Sequence, residues 1–173
     1  MSVRPATDAD VPAVRALVDA AYRGDASRAG WTTEADLLDG QRTDEALVRE
    51  LLAAPGSAVL LLEEHGALVG CCHVERRPGV GYVGMVAVLP GRQGRGTGRR
   101  LLAAAERQLA SWGLPAAEMT VLVQRIELLA WYARRGYAPT GERRPFPYGD
   151  ERYGRPRRPD LELLVLRKAL GPG

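Results

Sequence analysis

The 173-residue sequence predicts a mixed α/β fold, organised as one layered domain over residues 1–173. Three observations carry this. Apolar residues recur with helical spacing in some segments and with strand spacing in others, and the two kinds alternate along the chain. Two β-rich runs are separated by a short turn at Glu64–Gly66, which asks for antiparallel pairing. No internal repeat and no low-complexity linker divides the chain.

A short β-like "SVRPA" opens the sequence, and "TDADVPAVRALVDAAYRG" reads as a helix. Thr7 or Asp8 can cap it, Pro12 fits its first turn, Gly24 lies past its end, and Val11, Val14, Leu17, Val18 and Ala21 form its apolar face. "DASRAGWTTEADLLDGQR" reads as a linker with a short helical piece. "TDEALVRELLAAPG" is a second helix, capped by Thr43 and stopped at Pro55–Gly56. "SAVLLLEEHGALVGCCHVERR" forms the hairpin, and "VGYVGMVAVLP" is a strand apolar enough on both faces to be central. After a glycine-rich loop, "GRRLLAAAERQLASWG" is a helix with Leu101, Leu102, Ala105, Leu109 and Trp112 on its buried stripe. "AEMTVLV" is a strand, "RIELLAWYARRG" a helix stopped by Gly136, "YAPTGERR" a strand, and "LELLVLRKAL" the closing element. The order is β-α-α-β-β-β-α-β-α-β-β.

Composition narrows the functions. A 46% hydrophobic and 26% charged chain is ordinary for a soluble globular protein. No apolar run reaches eighteen residues, and "MSVRPATDAD" lacks a secretory apolar stretch, so the expected location is the cytoplasm, away from membranes. Cys71 and Cys72 are strand neighbours that point to opposite faces, so they predict neither a disulfide nor a metal site. The net charge is only +3, and Lys168 is the only lysine among 24 basic residues. This arginine-rich, Ala/Gly/Leu-rich usage resembles the product of a GC-rich bacterial genome.

The stretch "LPGRQGRGTGRRLL", residues 89–102, admits three readings. A dinucleotide fingerprint needs Gly-x-Gly-x-x-Gly, whereas Gly94, Gly96 and Gly98 are spaced Gly-x-Gly-x-Gly. An RNA-binding arginine–glycine segment would be longer and repetitive, so nucleic acid is not an expected partner. A phosphate cradle fits better. Small residues let backbone N–H groups turn inward, and the following helix start adds unpaired donors and its positive dipole end. Arginines between the glycines add charge-assisted contacts.

"VAVLPGRQGRGTGRRLL" resembles the acetyl-CoA-binding motif of the GNAT N-acetyltransferases, with Val88 and Pro90 in its first part and Gln93, Gly96 and Gly98 in its second. "AWYARRGYAPTGE" resembles the family's second motif, and the likeness runs from Val3 to about Glu142. It implies a central, mostly antiparallel twisted sheet flanked by helices on both faces. It also implies acetyl-CoA as cosubstrate, no metal, and acetyl transfer to a primary amine of a small molecule or peptide by direct attack through a tetrahedral intermediate. Family members are frequently dimers, which admits a homodimer here. An acyl-CoA-binding regulatory protein with weak catalysis is the alternative.

The same resemblance distributes roles. Val86, Ala87 and Val88 would offer backbone groups to pantetheine, and an N–H there would stabilise the oxyanion. Gln93, Gly94, Arg95, Gly96, Thr97, Gly98 and Arg99 would hold the pyrophosphate. Tyr132 matches the tyrosine that protonates the departing thiolate, although a buried core tyrosine explains it as well. Two places depart from the family. Gly84 stands where many relatives carry a catalytic carboxylate, and Arg125 stands where many carry a cofactor-holding asparagine. The base is therefore open among Glu34, Asp36, His73, Glu75, Asp150, Glu151 and water. Trp31 is either a hydrophobic plug or a pocket wall. The loop Arg143–Pro159 holds six arginines, three aromatics and four prolines. It reads as a stiff surface loop with internal ion pairs, or as an acceptor-pocket wall with an arginine for an anionic group.

Overall fold

The computed structural model describes residues 1–171. Its strands and helices are β1 (Ser2–Pro5), α1 (Val11–Tyr22), α2 (Gly24–Arg28), β2 (Leu38–Asp39), α3 (Glu45–Ala53), β3 (Ser57–Glu64), β4 (Ala67–Arg77), β5 (Val80–Val88), α4 (Thr97–Ser111), β6 (Ala116–Leu122), α5 (Ile126–Ala133), β7 (Ala138–Pro145), β8 (Arg155–Pro156) and β9 (Glu162–Ala169). Seven strands form one sheet in the order β1-β3-β4-β5-β6-β9-β7, and β2 pairs with β8 in a separate ribbon. Every pairing in the large sheet is antiparallel except β5 with β6.

The hairpin forms because His65 and Gly66 both take positive φ, 51° and 78°, which matches the twist of the strands it joins. β4 then buries both faces. Cys72 packs under α4 with Leu60, Leu62, Val74, Leu101 and Leu109, while Cys71 packs under α1 and α3 with Val14, Val18, Val48 and Leu61. The period-2 alternation expected of this run thus places helices on the two sides of the sheet. Both thiols are free and buried, as their spacing predicts.

Some local expectations are corrected. Asp44, not Thr43, caps α3, accepting from the Leu47 N–H at 2.8 Å. Its carboxylate is the better acceptor there, while Thr43 is buried at 4% exposure. Gly24 lies past the end of α1, as expected, and also begins α2, because Arg23 is extended (φ −126°, ψ 157°) and separates two helices. The β2–β8 ribbon joins the linker after α2 to the late arginine-rich loop, a pairing of segments more than a hundred residues apart.

Candidate active site

The sheet parts at its centre. Among the described residues β5 pairs with β6 only at Gly81↔Ala117 and Tyr82↔Glu118, so beyond Tyr82 none of their strands lies along this edge of β5. Across the other edge Cys71 faces Ala87 but His73 faces Gly84, which leaves Met85 and Val86 opposite a single residue of β4. That bulge drives Met85 to φ 51°, a conformation costly for a residue with a side chain. The Tyr22 hydroxyl donates to the Val86 carbonyl at 2.5 Å and anchors the distorted segment. Val86 thus stands in the gap between the two parted strands.

The glycine loop follows directly. Gly94 and Gly96 have φ of 76° and 78°, which turns the chain back onto the start of α4. The first helical hydrogen bond runs from the Arg100 N–H to the Gly96 carbonyl at 3.0 Å. The N–H groups of Thr97, Gly98 and Arg99 therefore precede it without intrahelical acceptors. A cavity of about 340 Å³ opens over this turn, walled by Trp31, Gln93, Gly98, Arg99, Trp131 and Arg135 among others. A Cβ on Gly98 would stand 3.3 Å from the Trp131 ring. Gln93 braces the loop, accepting from the Trp31 N–H and donating to the Val88 carbonyl. Arg95 is exposed and does not line the cavity. Thr97 is buried with its hydroxyl on the Arg92 carbonyl, and Ala87 packs into the core on the α1 side. Trp31 is 48% exposed and walls this cavity.

A second cavity of about 500 Å³ lies on the other side of the parting and shares Val86, Leu128 and Tyr132 with the first. Glu34 and Arg125 line this second cavity, not the one over the glycine loop. Glu34 is 7% exposed, and its two oxygens accept from Arg23 at 2.6 Å and Arg125 at 3.0 Å, with Arg42 at 3.9 Å. Burial alone would raise its carboxyl, but Arg125, Arg42 and Arg23 outweigh that and hold it below the ordinary range. Glu75 also lines this cavity, paired with Arg77 at 2.8 Å. Asp36 is outside it, paired with Arg28, and Asp150 is paired with Arg152. Gly84 leaves room for Tyr82, whose ring would stand 2.6 Å from a Cβ at that position. Burial raises the Tyr132 hydroxyl well above its ordinary pKa, a rise that Tyr22 adds to and Arg125 opposes.

His73 lies at the back of this cavity, 2.8 Å from the Ser57 hydroxyl. Ser57 donates its one proton to the Leu51 carbonyl, so His73 Nε2 is the donor to the Ser57 oxygen. Burial holds His73 down to about 4, with Arg77 adding to the effect and Glu75 opposing it. The unfolded chain therefore binds a proton that the folded chain refuses between pH 6.5 and 4. Stability is full above that window and falls as the pH drops through it, by about 3 kcal/mol for a fully expressed shift. Thermal unfolding followed from pH 7.5 to 4.5 is expected to show this decline, and His73→Gln is expected to flatten it.

Tyr22, Arg42 and Tyr82 belong to the site without having been singled out by motif or spacing. Their side chains become significant only through contacts with Val86, Glu34 and Gly84.

Comparison with known proteins agrees with this architecture. The model of the acetyltransferase (GNAT) family matches residues 14–137. An IAA acetyltransferase of Azospirillum brasilense is 32% identical over 124 residues, covering 70% of this chain and 73% of that protein. The ribosomal-protein-alanine N-acetyltransferase of Brucella melitensis has the same fold, with a TM-score of 0.72 at 21% identity over 98% of this chain and 100% of that one. A GNAT family acetyltransferase of Elizabethkingia anophelis with acetyl-CoA bound gives a TM-score of 0.66 at 16% identity, covering 98% and 97%. The family match spans the parted strands β5 and β6, the glycine loop and the Tyr132 helix together, and the chain belongs to the GNAT acetyltransferase family.

Proposed function

We propose that this acetyltransferase moves the acetyl group of acetyl-CoA onto a primary amine, the two substrates entering from opposite sides of the parted sheet. The observation that carries this reading is the pair of cavities meeting at Val86, Leu128 and Tyr132. One has a helix-start anion cradle and the other does not.

Acetyl-CoA fits the first cavity. Gly98 leaves open the space a Cβ would fill, the N–H groups of residues 97–99 would hold its pyrophosphate, and Arg99 and Arg135 would supply charge. When bound, it supplies an activated acetyl carbonyl and a thiolate leaving group. The amine nitrogen bonds to that carbonyl carbon as the C–S bond breaks, one amine proton goes to a base, and the sulfur takes one proton. The bulged Val86 segment offers its backbone N–H to the carbonyl oxygen. Tyr132 stays protonated at neutral pH and is the donor to the sulfur. Glu75, paired with Arg77 at the cavity wall, takes the amine proton directly or through water. Glu34 acts through position instead, because both its oxygens are committed to arginines.

At 100 times its dissociation constant, acetyl-CoA is expected to stabilise the fold by about 2.7 kcal/mol, a rise in Tm of roughly 5–10 °C. Thiol release across a panel of primary amines then tests transfer. Tyr132→Phe is expected to lower kcat roughly 10-fold, since a thiol leaves with little help, and to leave the acetyl-CoA KM unchanged. No thermal shift would end the reading; a shift without turnover of any amine would favour the acyl-CoA-binding regulator.

A further inference from the structure

The second cavity carries more positive charge than its own acids balance. Arg23, Arg42, Arg77, Arg125 and Arg152 line it against Glu34, Glu50 and Glu75. Arg77 is paired with Glu75, and Arg152 with Asp150. The remaining three arginines surround one carboxylate, Glu34, whose two oxygens are already taken by Arg23 and Arg125. Glu50 lines the same cavity without an ion pair to any of the three among the described residues, so the cations still exceed the acids by one. Arg125 also donates to the Thr32 hydroxyl, and Arg23 to the Tyr153 carbonyl. Arg42 is the one left over. Among the described residues its guanidinium reaches Glu34 only at 3.9 Å and lies 5.2 Å from the Tyr22 ring centroid, and it makes no hydrogen bond. Its side chain keeps 28% exposure at the cavity wall. A cluster with more buried cations than anions is costly unless a further anion joins it.

The late loop does not compete for this role. Phe146, Pro147, Arg152 and Tyr153 wall the cavity, but most of the loop's charge is spent within its own surroundings, and Arg155 is exposed and does not line the cavity. Arg143 pairs with Glu162, Arg144 with Glu142, Arg157 with Asp39 and Arg158 with Asp160. The cosubstrate's phosphates do not account for the excess either, since their cradle is in the other cavity.

Resting on the acetyl-transfer reading above, we infer that the acceptor is a compact amine bearing an anionic group, and that Arg42 binds that group. Tyr22 sets the scale. Its hydroxyl holds the Val86 carbonyl while its ring face lies beneath Arg42, so one tyrosine side chain spans the distance between the transfer point and the anion site. An amine and a carboxylate or phosphate a few bonds apart match that span. Arg42 presents a planar fork suited to either anion.

Calorimetry in the presence of CoA, which carries no acetyl group, reads acceptor binding without turnover. The ligands are matched sets: an ω-amino acid, the aminoalkyl phosphate of the same length, and the amine lacking either group. Wild-type protein is expected to bind at least one anionic member roughly 10- to 100-fold more tightly than the neutral amine, as a charged hydrogen-bond pair in a partly enclosed site supplies. The tighter anionic member identifies the anion. Arg42→Gln is expected to erase the preference and Arg42→Lys to keep part of it, with the acetyl-CoA thermal shift intact in both. Arg158→Gln, on the exposed loop, is expected to bind all three as wild type does. Equal binding of anionic and neutral amines by wild type would overturn the inference, even if Arg42→Gln could not be purified. So would a preference that survives Arg42→Gln. Failure of acetyl-CoA to shift the Tm would instead strike the underlying reading.

Discussion

Glu34→Ala is expected to destabilise the protein by about 3–5 kcal/mol, the cost of breaking a buried ion pair by removing one partner. For a chain of this size that lowers Tm by roughly 6–20 °C. The substitution leaves Arg23 and Arg125, each 6% exposed, with Arg42 beside them and no carboxylate between them. Their Nε atoms are already buried without hydrogen-bond partners, so the cluster holds no spare acceptor to take over. Glu34→Gln keeps the shape and one carbonyl acceptor but loses the charge, and is expected to fall between wild type and Glu34→Ala. The carboxyl is held below its ordinary range, so its contribution is complete above an unfolded value of about 4.3. It is lost as the pH falls below that toward the folded value. Calorimetric unfolding of the three proteins checks this. A Glu34→Ala protein as stable as wild type but devoid of transfer activity would make Glu34 the base and refute the positioning role.

Gly98→Leu is expected to abolish acetyl-CoA binding while leaving the fold nearly as stable. The position is in the first turn of α4, where a Cβ meets Trp131 at 3.3 Å and Val88 at 3.8 Å. A leucine extends from there into the space over the N–H groups of residues 97–99. Charge-assisted contacts between those donors and a pyrophosphate need close backbone approach, and losing them weakens binding by roughly 100-fold or more. The acetyl-CoA thermal shift should vanish at concentrations that saturate wild type. Gly94→Ala makes a useful contrast. Nothing lies within 4 Å of its Cβ, but φ is 76°, so it is expected to cost about 1–2 kcal/mol of stability and to spare much of the binding. Retained acetyl-CoA binding by Gly98→Leu, measured directly by calorimetry, would move the pyrophosphate site away from this loop.

The element order and the glycine loop were legible in the chain because both depend on short-range physics. Helical and strand periodicity are written over ten or fifteen residues, and the demand for positive φ at Gly94 and Gly96 is local. Cys71 and Cys72 could be assigned to opposite cores from adjacency alone, and so they are. Cap choice was harder to read. Thr43 and Asp44 are both competent caps, and burial of the threonine decides between them.

The second cavity was not legible in the same way. Glu34 is held by Arg23, 11 positions away, and by Arg125, 91 positions away, and no local pattern marks either partner. As a free carboxylate in a linker Glu34 resembles a candidate base; ringed by three arginines it is a fixed anion. The late loop's six arginines promise an anion site until their nearby acids claim the charge of most of them, and the Arg42 guanidinium, in a segment that carries no motif, remains without a hydrogen bond among the described residues. What the sequence by itself determined is the order of the main elements and the glycine turn at the start of α4, because spacing and backbone conformation are local. Which charges are spent and which are left facing the cavity was decided only by the tertiary structure, because charge compensation is a property of neighbours in space.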